Sequence, residues 1–309
     1  MTDGATPSLA VRDNAKGGSR PSGRRSDLSP YGYMLPALLI VTCVSVYPIA
    51  DAIRLSVSST RFLKVTGFAG LEHFLEILAT PEGLANVYNS LVYSFGSLSI
   101  TLPLSLGLAI LLNRRIRFRR TFRTIIVMPW VVSQTIAGLI WLWALNPNYG
   151  PVVDLLVQLG APRVDLLSYP SWAMASLIGV NVWLTYPYAV VLLLAALQMV
   201  PREVYEAASV DGSSDWSSFW RITLPLIKPT LMVTAIILTL LYFNMVTLVL
   251  TFTGGGPFGE TEVLSLRAFK EAFEYWHIGL GSAFCVVIFV INVIFSLWYI
   301  KLLRTDVHA

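Results

Sequence analysis

One internal stretch, residues 201–229 (PREVYEAASVDGSSDWSSFWRITLPLIKP), sets charged, small and helix-breaking residues at close spacing between two long uncharged runs. It carries seven charged side chains, Arg202, Glu203, Glu206, Asp211, Asp215, Arg221 and Lys228. Pro201 fits the first turn of a helix, where its missing N–H costs nothing. Arg202 to Val210 follow with mostly good helix formers, Glu203 and Glu206 lying near the positive end of the dipole. Asp211-Gly212 stops that helix, because glycine accepts the left-handed cap geometry. Ser213 or Ser214 can cap a second helix, in which Trp216, Phe219 and Trp220 share one face. Pro225 and Pro229 are expected to end it. The chemistry on offer is that of contact: a rigid helix–turn–helix presenting charge to something outside the apolar body of the chain.

A second set of groups is neutral and lies inside the apolar runs. Asn181, Tyr186, Tyr188, Tyr242, Asn244 and Gln134 sit among Trp183, Phe243 and Met245. Amides and phenols beside aromatic faces can hydrogen-bond hydroxyls and stack on sugar rings; they serve equally well as interhelical hydrogen bonds. Groups for catalysis are missing. There is no GxxxxGK[ST] loop to cradle phosphates, no HExxH and no paired carboxylates or Ser/His/Asp cluster in any plausible site. Cys43 and Cys285 have no metal or disulfide spacing. The chain is expected to be no enzyme, to hold no metal and to bind no cofactor of its own.

The elements that position these residues follow from composition. The 309 residues are 55% hydrophobic and 13% charged, with mean hydropathy +0.66; a soluble domain carries about 25% charged residues. The chain is therefore expected to be an all-α polytopic membrane protein, and its net charge of +4 is no sign of nucleic-acid binding. Six uncharged runs, 28–50, 91–112, 124–145, 171–200, 230–252 and 278–300, are each long enough to cross the hydrocarbon, which takes ~20 helical residues. Backbone groups in lipid need partners within their own segment, so helices rather than isolated strands are expected. No Asp, Glu, Lys, Arg or His lies in these runs, which speaks against a proton-coupled carrier, and no TVGYG-like filter is present. The first run exceeds a signal-peptide core in length and reads as a retained helix.

Residues 1–27, rich in Gly, Ser, Pro and basic side chains, are expected to form a disordered tail, leaving 28–309 as one transmembrane domain. Sixteen of the 22 Lys and Arg fall on the side that holds both termini and the 201–229 loop, six of them between Arg114 and Arg123. Positive-inside bias makes that side cytoplasmic. On the opposite side, 71–78 reads as an amphipathic piece. Gly254-Gly255-Gly256-Pro257 is expected to break the fifth helix. Pro103, Pro129 and Pro187 are expected to bend helices two, three and four.

The 201–229 pattern resembles the EAA loop of the membrane subunits of binding-protein-dependent ABC importers, EAA-x2-DGA-x5-F-x2-I-x-LP-x3-P. Glu206, Ala207, Ala208, Asp211, Gly212, Phe219, Ile222, Leu224, Pro225 and Pro229 match it, and Ser213 stands where Ala is usual. Tyr47-Pro48, Asn89-Ser90, Phe122-Arg123, Leu197-Gln198, Phe243-Asn244 and Gly255-Gly256-Pro257 with Thr261 are similar to the carbohydrate-uptake branch, while Pro151-Val152-Val153 after Gly150 depart from it. The resemblance implies a second, related permease subunit and two copies of a cytoplasmic ATPase that uses ATP and Mg. It also implies an extracytoplasmic solute-binding protein and a place in the bacterial cytoplasmic membrane. Glu206 would meet a basic residue in a groove of the ATPase, and Asn181, Trp183, Tyr188, Tyr242, Phe243 and Asn244 are the pathway candidates. The expected cargo is a neutral sugar, oligosaccharide or polyol. Three alternatives stay open: sn-glycerol 3-phosphate or another anion on the same machinery, a self-sufficient carrier or exporter, and a membrane scaffold whose loop docks a signalling protein.

Overall fold

A computed structural model describes residues 29–114 and 117–305, with side chains from 33 to 302. The expected disordered tail, 1–27, lies outside the described residues. The chain divides into two units, 1–48 and 49–309. In the first, the helix Ser29–Val41 runs into a wide π turn, Thr42–Val46. That turn lies where a proline ring at position 48 would otherwise strike the carbonyl four residues back.

The second unit is built on long apolar helices. Pro81–Asn113, Pro170–Met199, Asp215–Phe243 and Ile278–Leu302 are each long enough to span a membrane, as is Tyr33–Ser56 near the N-terminus. The third expected span, 124–145, is different. Arg119–Val131 and Gln134–Ala144 are separate helices bent by 98°. The break falls at Val132-Ser133, just after Pro129, and Ser133 Oγ caps the new helix by accepting from Ile136 N at 3.3 Å. Pro103 and Pro187, by contrast, lie inside helices that stay unbroken. The core forms where Pro81–Asn113 packs along Pro170–Met199, with Tyr93, Leu177, Leu238, Tyr242 and Leu248 fully enclosed.

Four expectations need correction. First, the fold is not purely helical: Ser58–Arg61 and Lys64–Phe68 form an antiparallel hairpin, pairing Ser58 with Phe68 and Arg61 with Lys64. It is anchored rather than isolated, since Thr60 Oγ1 accepts from Gly279 N at 2.8 Å. Second, Pro225 and Pro229 end no helix. Asp215–Ser218 passes through a π turn, Phe219–Thr223, into Leu224–Phe243. The wide turn makes room for the Pro225 ring against the carbonyl of Arg221, the device seen before Pro48. Third, the second helix of the 201–229 loop is consequently one body with the fifth span. Fourth, that span stops at Phe243, before the glycines, and a short helix, Thr247–Phe252, follows a break capped by Asn244. The amphipathic piece at 71–78 is the helix Glu72–Ala79, with Ile77 buried rather than lying free on a surface.

Close helix approach depends on small residues. A Cβ on Gly281 would stand 2.9 Å from Ala272 Cβ and 3.1 Å from the Ala268 carbonyl. Gly281→Leu should therefore cost about 1–3 kcal/mol by overpacking, read as a lower melting temperature of the detergent-purified chain.

Candidate functional site

The 201–229 segment folds largely as its residues dictate. Arg202–Val210 is a helix ended by Gly212 at φ 77°, with Asp211 N donating to Ala207 O (3.0 Å) and Ser213 N to Ala208 O (2.9 Å). Ser214 is the cap of the following turn, accepting from Ser217 N at 3.3 Å. The two helical pieces are joined by side chains. Tyr205 Oη and Thr223 Oγ1 share a hydrogen bond of 2.9 Å, and Ser218 Oγ donates to Ser213 Oγ at 3.1 Å. Glu206, Ala207, Asp211, Gly212 and Pro225 are exposed; Ala208, Phe219, Ile222 and Leu224 are half-buried. Glu206 makes no ion pair with a described residue, Arg202 one turn earlier included. Trp216, Phe219 and Trp220 touch as one ring cluster, with centroids 5.0–6.2 Å apart. Such rings suit a membrane–water boundary.

The neutral residues of the spans fall into three places. Asn181, Tyr242 and Phe243 are enclosed within the bundle. Tyr242 Oη donates to Thr101 Oγ1 (3.0 Å) and lies 2.9 Å from Thr185 Oγ1, so it ties three helices together. Neither amide atom of Asn181 has a hydrogen-bond partner among the described residues. Trp183 and Tyr188 are half-buried and rest on rings of the bent pair, Trp141 at 5.5 Å and Trp130 at 5.6 Å. Asn244 alone is exposed. It opens on a groove of about 390 Å³ shared with Leu240, Cys285, Ile288, Asn292 and Ser296.

Asn292 and Ser296 escaped sequence reasoning. Cys285, Ile288, Asn292 and Ser296 recur at helical spacing on one face of the last span, a signal that hydropathy averages away. Asn292 Oδ1 is buried without a partner among the described residues, and Asn244 Nδ2 donates to Leu240 O at 2.7 Å. The groove therefore offers amide, hydroxyl and apolar contacts and no charge.

At the far end of the bundle a proline–glycine loop is held down by asparagines. Asn86 Nδ2 donates to Glu262 O and Asn89 Nδ2 to Gly259 O, both at 3.0 Å. Ser90 Oγ accepts from Leu264 N at 2.7 Å. Glu271, almost fully buried, receives Arg267 at 2.7 Å and faces His277 Nδ1 at 2.9 Å.

The described residues thus form an apolar helical bundle with a polar loop fused to one of its spans and a neutral groove along another. Residues 100–305 match the family described as "Binding-protein-dependent transport system inner membrane component", and the chain belongs to that family, as a permease of the carbohydrate branch of ABC importers. It is 34% identical over 275 residues to the trehalose/maltose transport system permease protein MalF of Thermococcus litoralis, covering 89% of this chain and 93% of that one. It is 31% identical to the sulfoquinovosyl glycerol transport system permease protein SmoG of Agrobacterium fabrum, covering 88% of this chain and 89% of that one. Among solved structures, a bacterial ABC transporter involved in the import of the acidic polysaccharide alginate shares the fold, with TM-score 0.78 at 24% identity over 91% of this chain and 97% of that chain.

Two substitutions probe this geometry. Tyr205→Phe removes one partly buried hydrogen bond. It should cost about 0.5–1.5 kcal/mol locally, seen as faster amide exchange in 202–210. Asn181→Leu replaces an unpartnered buried amide by a group of similar size and should raise thermal stability by about 1–3 kcal/mol.

Proposed function

We propose that the chain is one membrane subunit of an ATP-driven importer in the bacterial cytoplasmic membrane, carrying a neutral sugar, oligosaccharide or polyol inward. The observation that carries this reading is the fusion of the 201–229 loop to a span. An exposed carboxylate, Glu206, sits on a glycine-capped helix that is clamped by Tyr205–Thr223 to a rod reaching Phe243. Force applied at Glu206 would cross the Gly212 turn, braced by the Tyr205–Thr223 bond, and run along the rod to the helix break at Asn244.

In this reading both termini and the loop face the cytoplasm, and two ATPase subunits lie beneath. One ATPase receives Glu206-Ala207-Ala208 in a groove, with a basic residue opposite Glu206. ATP, with Mg, is hydrolysed there and not in this chain. A related permease subunit completes the pathway, and an extracytoplasmic binding protein delivers the solute, as family membership suggests. The Asn244–Asn292–Ser296 groove is the part of the path this chain supplies. Amides and a hydroxyl beside Phe289 match the hydroxyls and apolar faces of a sugar ring, and the groove's lining carries no cation for a phosphate.

Coupling and cargo are tested separately. Glu206→Ala, which loses one charge-assisted contact, and Gly212→Asp, which strains the left-handed cap at φ 77°, should each lower solute-dependent ATPase activity and uptake in the assembled transporter by about tenfold or more. Membrane insertion should be unchanged. Normal uptake and normal ATPase retention in both variants would remove the coupling assignment. For cargo, neutral disaccharides and polyols should compete with labelled uptake and glycerol phosphate should not. The reverse order would make the carrier one for anions, with the charge supplied by another chain.

A further inference from the structure

The six-arginine cluster between Arg114 and Arg123 serves in the sequence as an orientation signal, but two of its members are placed for something more specific. Among the cluster's described arginines, Arg114, Arg117 and Arg120 are exposed, whereas Arg119 and Arg123 are half-buried. They lie one helical turn apart and turn inward together. With its amide oxygen facing them, Gln198 accepts from Arg123 Nη2 at 2.8 Å and from Arg119 Nη2 at 3.3 Å. Arg119 Nε is occupied by the Leu112 carbonyl. Arg123 Nε is enclosed and has no hydrogen-bond partner among the described residues, and no described carboxylate pairs with either guanidinium. Two like charges are thus held on one neutral oxygen, with a donor left over. An anion is what that arrangement lacks.

The surroundings say which anion. Arg123 and Gln198 form one end of a groove of about 270 Å³ between Arg119–Val131 and Pro170–Met199. Its walls are aliphatic, with Ile126, Val127, Val191 and Ala195 prominent among them. The outer flank of the same helix exposes Ile125 (59%) and Met128 (70%). A cationic end joined to an apolar trough matches a molecule with an anionic head and a hydrocarbon chain. A free inorganic anion would gain nothing from the aliphatic walls, and an acidic protein segment would leave them uncovered. Basic pockets between spans at a membrane surface bind acidic lipid headgroups by this complementarity.

We propose that Arg119, Arg123 and Gln198 form a site for an anionic phospholipid, its phosphate on the two guanidiniums and an acyl chain along Ile126, Val127, Val191 and Ala195. The bound lipid neutralises the paired charges at the end of Pro170–Met199, directly before the 201–229 loop. The site needs neither a transported solute nor an ATPase, so it stands apart from the coupling assignment.

The test is native mass spectrometry of the delipidated full chain challenged with phosphatidylglycerol or phosphatidylcholine in detergent. The wild-type chain should retain phosphatidylglycerol about tenfold or more over phosphatidylcholine. Arg119→Gln with Arg123→Gln should abolish that preference. Ala195→Trp, which fills the trough and keeps both arginines, should lower retention even if the double variant fails to fold. Arg117→Gln with Arg120→Gln, outside the groove, should bind as wild type. Equal retention of the two lipids by the wild-type chain would overturn the site. So would undiminished phosphatidylglycerol in the Ala195→Trp chain or in a folded double variant, or displacement of the lipid by millimolar inorganic phosphate.

Discussion

The helix breaks of this bundle answer to one constraint: a backbone N–H or C=O that leaves a helix needs another partner, most of all in a membrane. Where the chain breaks, a short polar side chain stands at the gap. Ser133 caps the helix after the 98° bend. Asn244 reaches back to Leu240 O at the end of the fifth span, and Ser265 Oγ lies 3.4 Å from Met245 O in the gap that follows. Asn86, Asn89 and Ser90 hold the returning loop at 259–264. These side chains stand where the spans stop, and Asn244 among them lines the neutral groove.

The same constraint bears on how the loop at 201–229 joins the fifth span. A proline inside a helix normally frees a carbonyl and invites a hinge. Here the π turn at Phe219–Thr223 absorbs Pro225 without breaking the rod, and Tyr205 ties the preceding helix to Thr223. The loop is therefore an extension of the fifth span rather than an appendage to it. At its other end the rod stops at the residue that opens on the Asn292 groove. The exposed 201–229 loop lies at one end of this rod, and Asn244, which lines the groove, lies at the other.

Much of this was readable in the residues. Uncharged runs located the spans, because charge exclusion from hydrocarbon is a strong signal. The Glu206–Gly212 helix and its cap followed from propensity and glycine geometry. The failures share a cause: hydropathy measures how apolar a run is and not whether it is continuous. Runs 124–145 and 230–252 are uncharged throughout, yet each contains a break at a polar residue, Ser133 in one and Asn244 in the other. Pro225 misled in the opposite sense, since a π turn has no sequence signature that outweighs a proline. The hairpin at 58–68 is short, and its bulged register is set by contact with Gly279 and by the Phe62–His277 bridge rather than by its own pattern. Asn292 and Ser296 were legible in principle, because their spacing repeats on one helix face.

The claim on which the account turns is that the loop and the fifth span are mechanically one piece. It can be measured by electron–electron spin resonance between labels at Val210, on the exposed tip, and Val233, on the exposed side of the rod. The native Cys43 and Cys285 would be replaced by Ser and the labelled chain assembled with its ATPase. The Val210–Val233 distance distribution should stay unchanged when nucleotide is added to the assembled complex. A distribution that shifts or broadens on that addition would place a hinge between the labels, at the Gly212 turn or at Phe219–Thr223, and contradict a rigid loop.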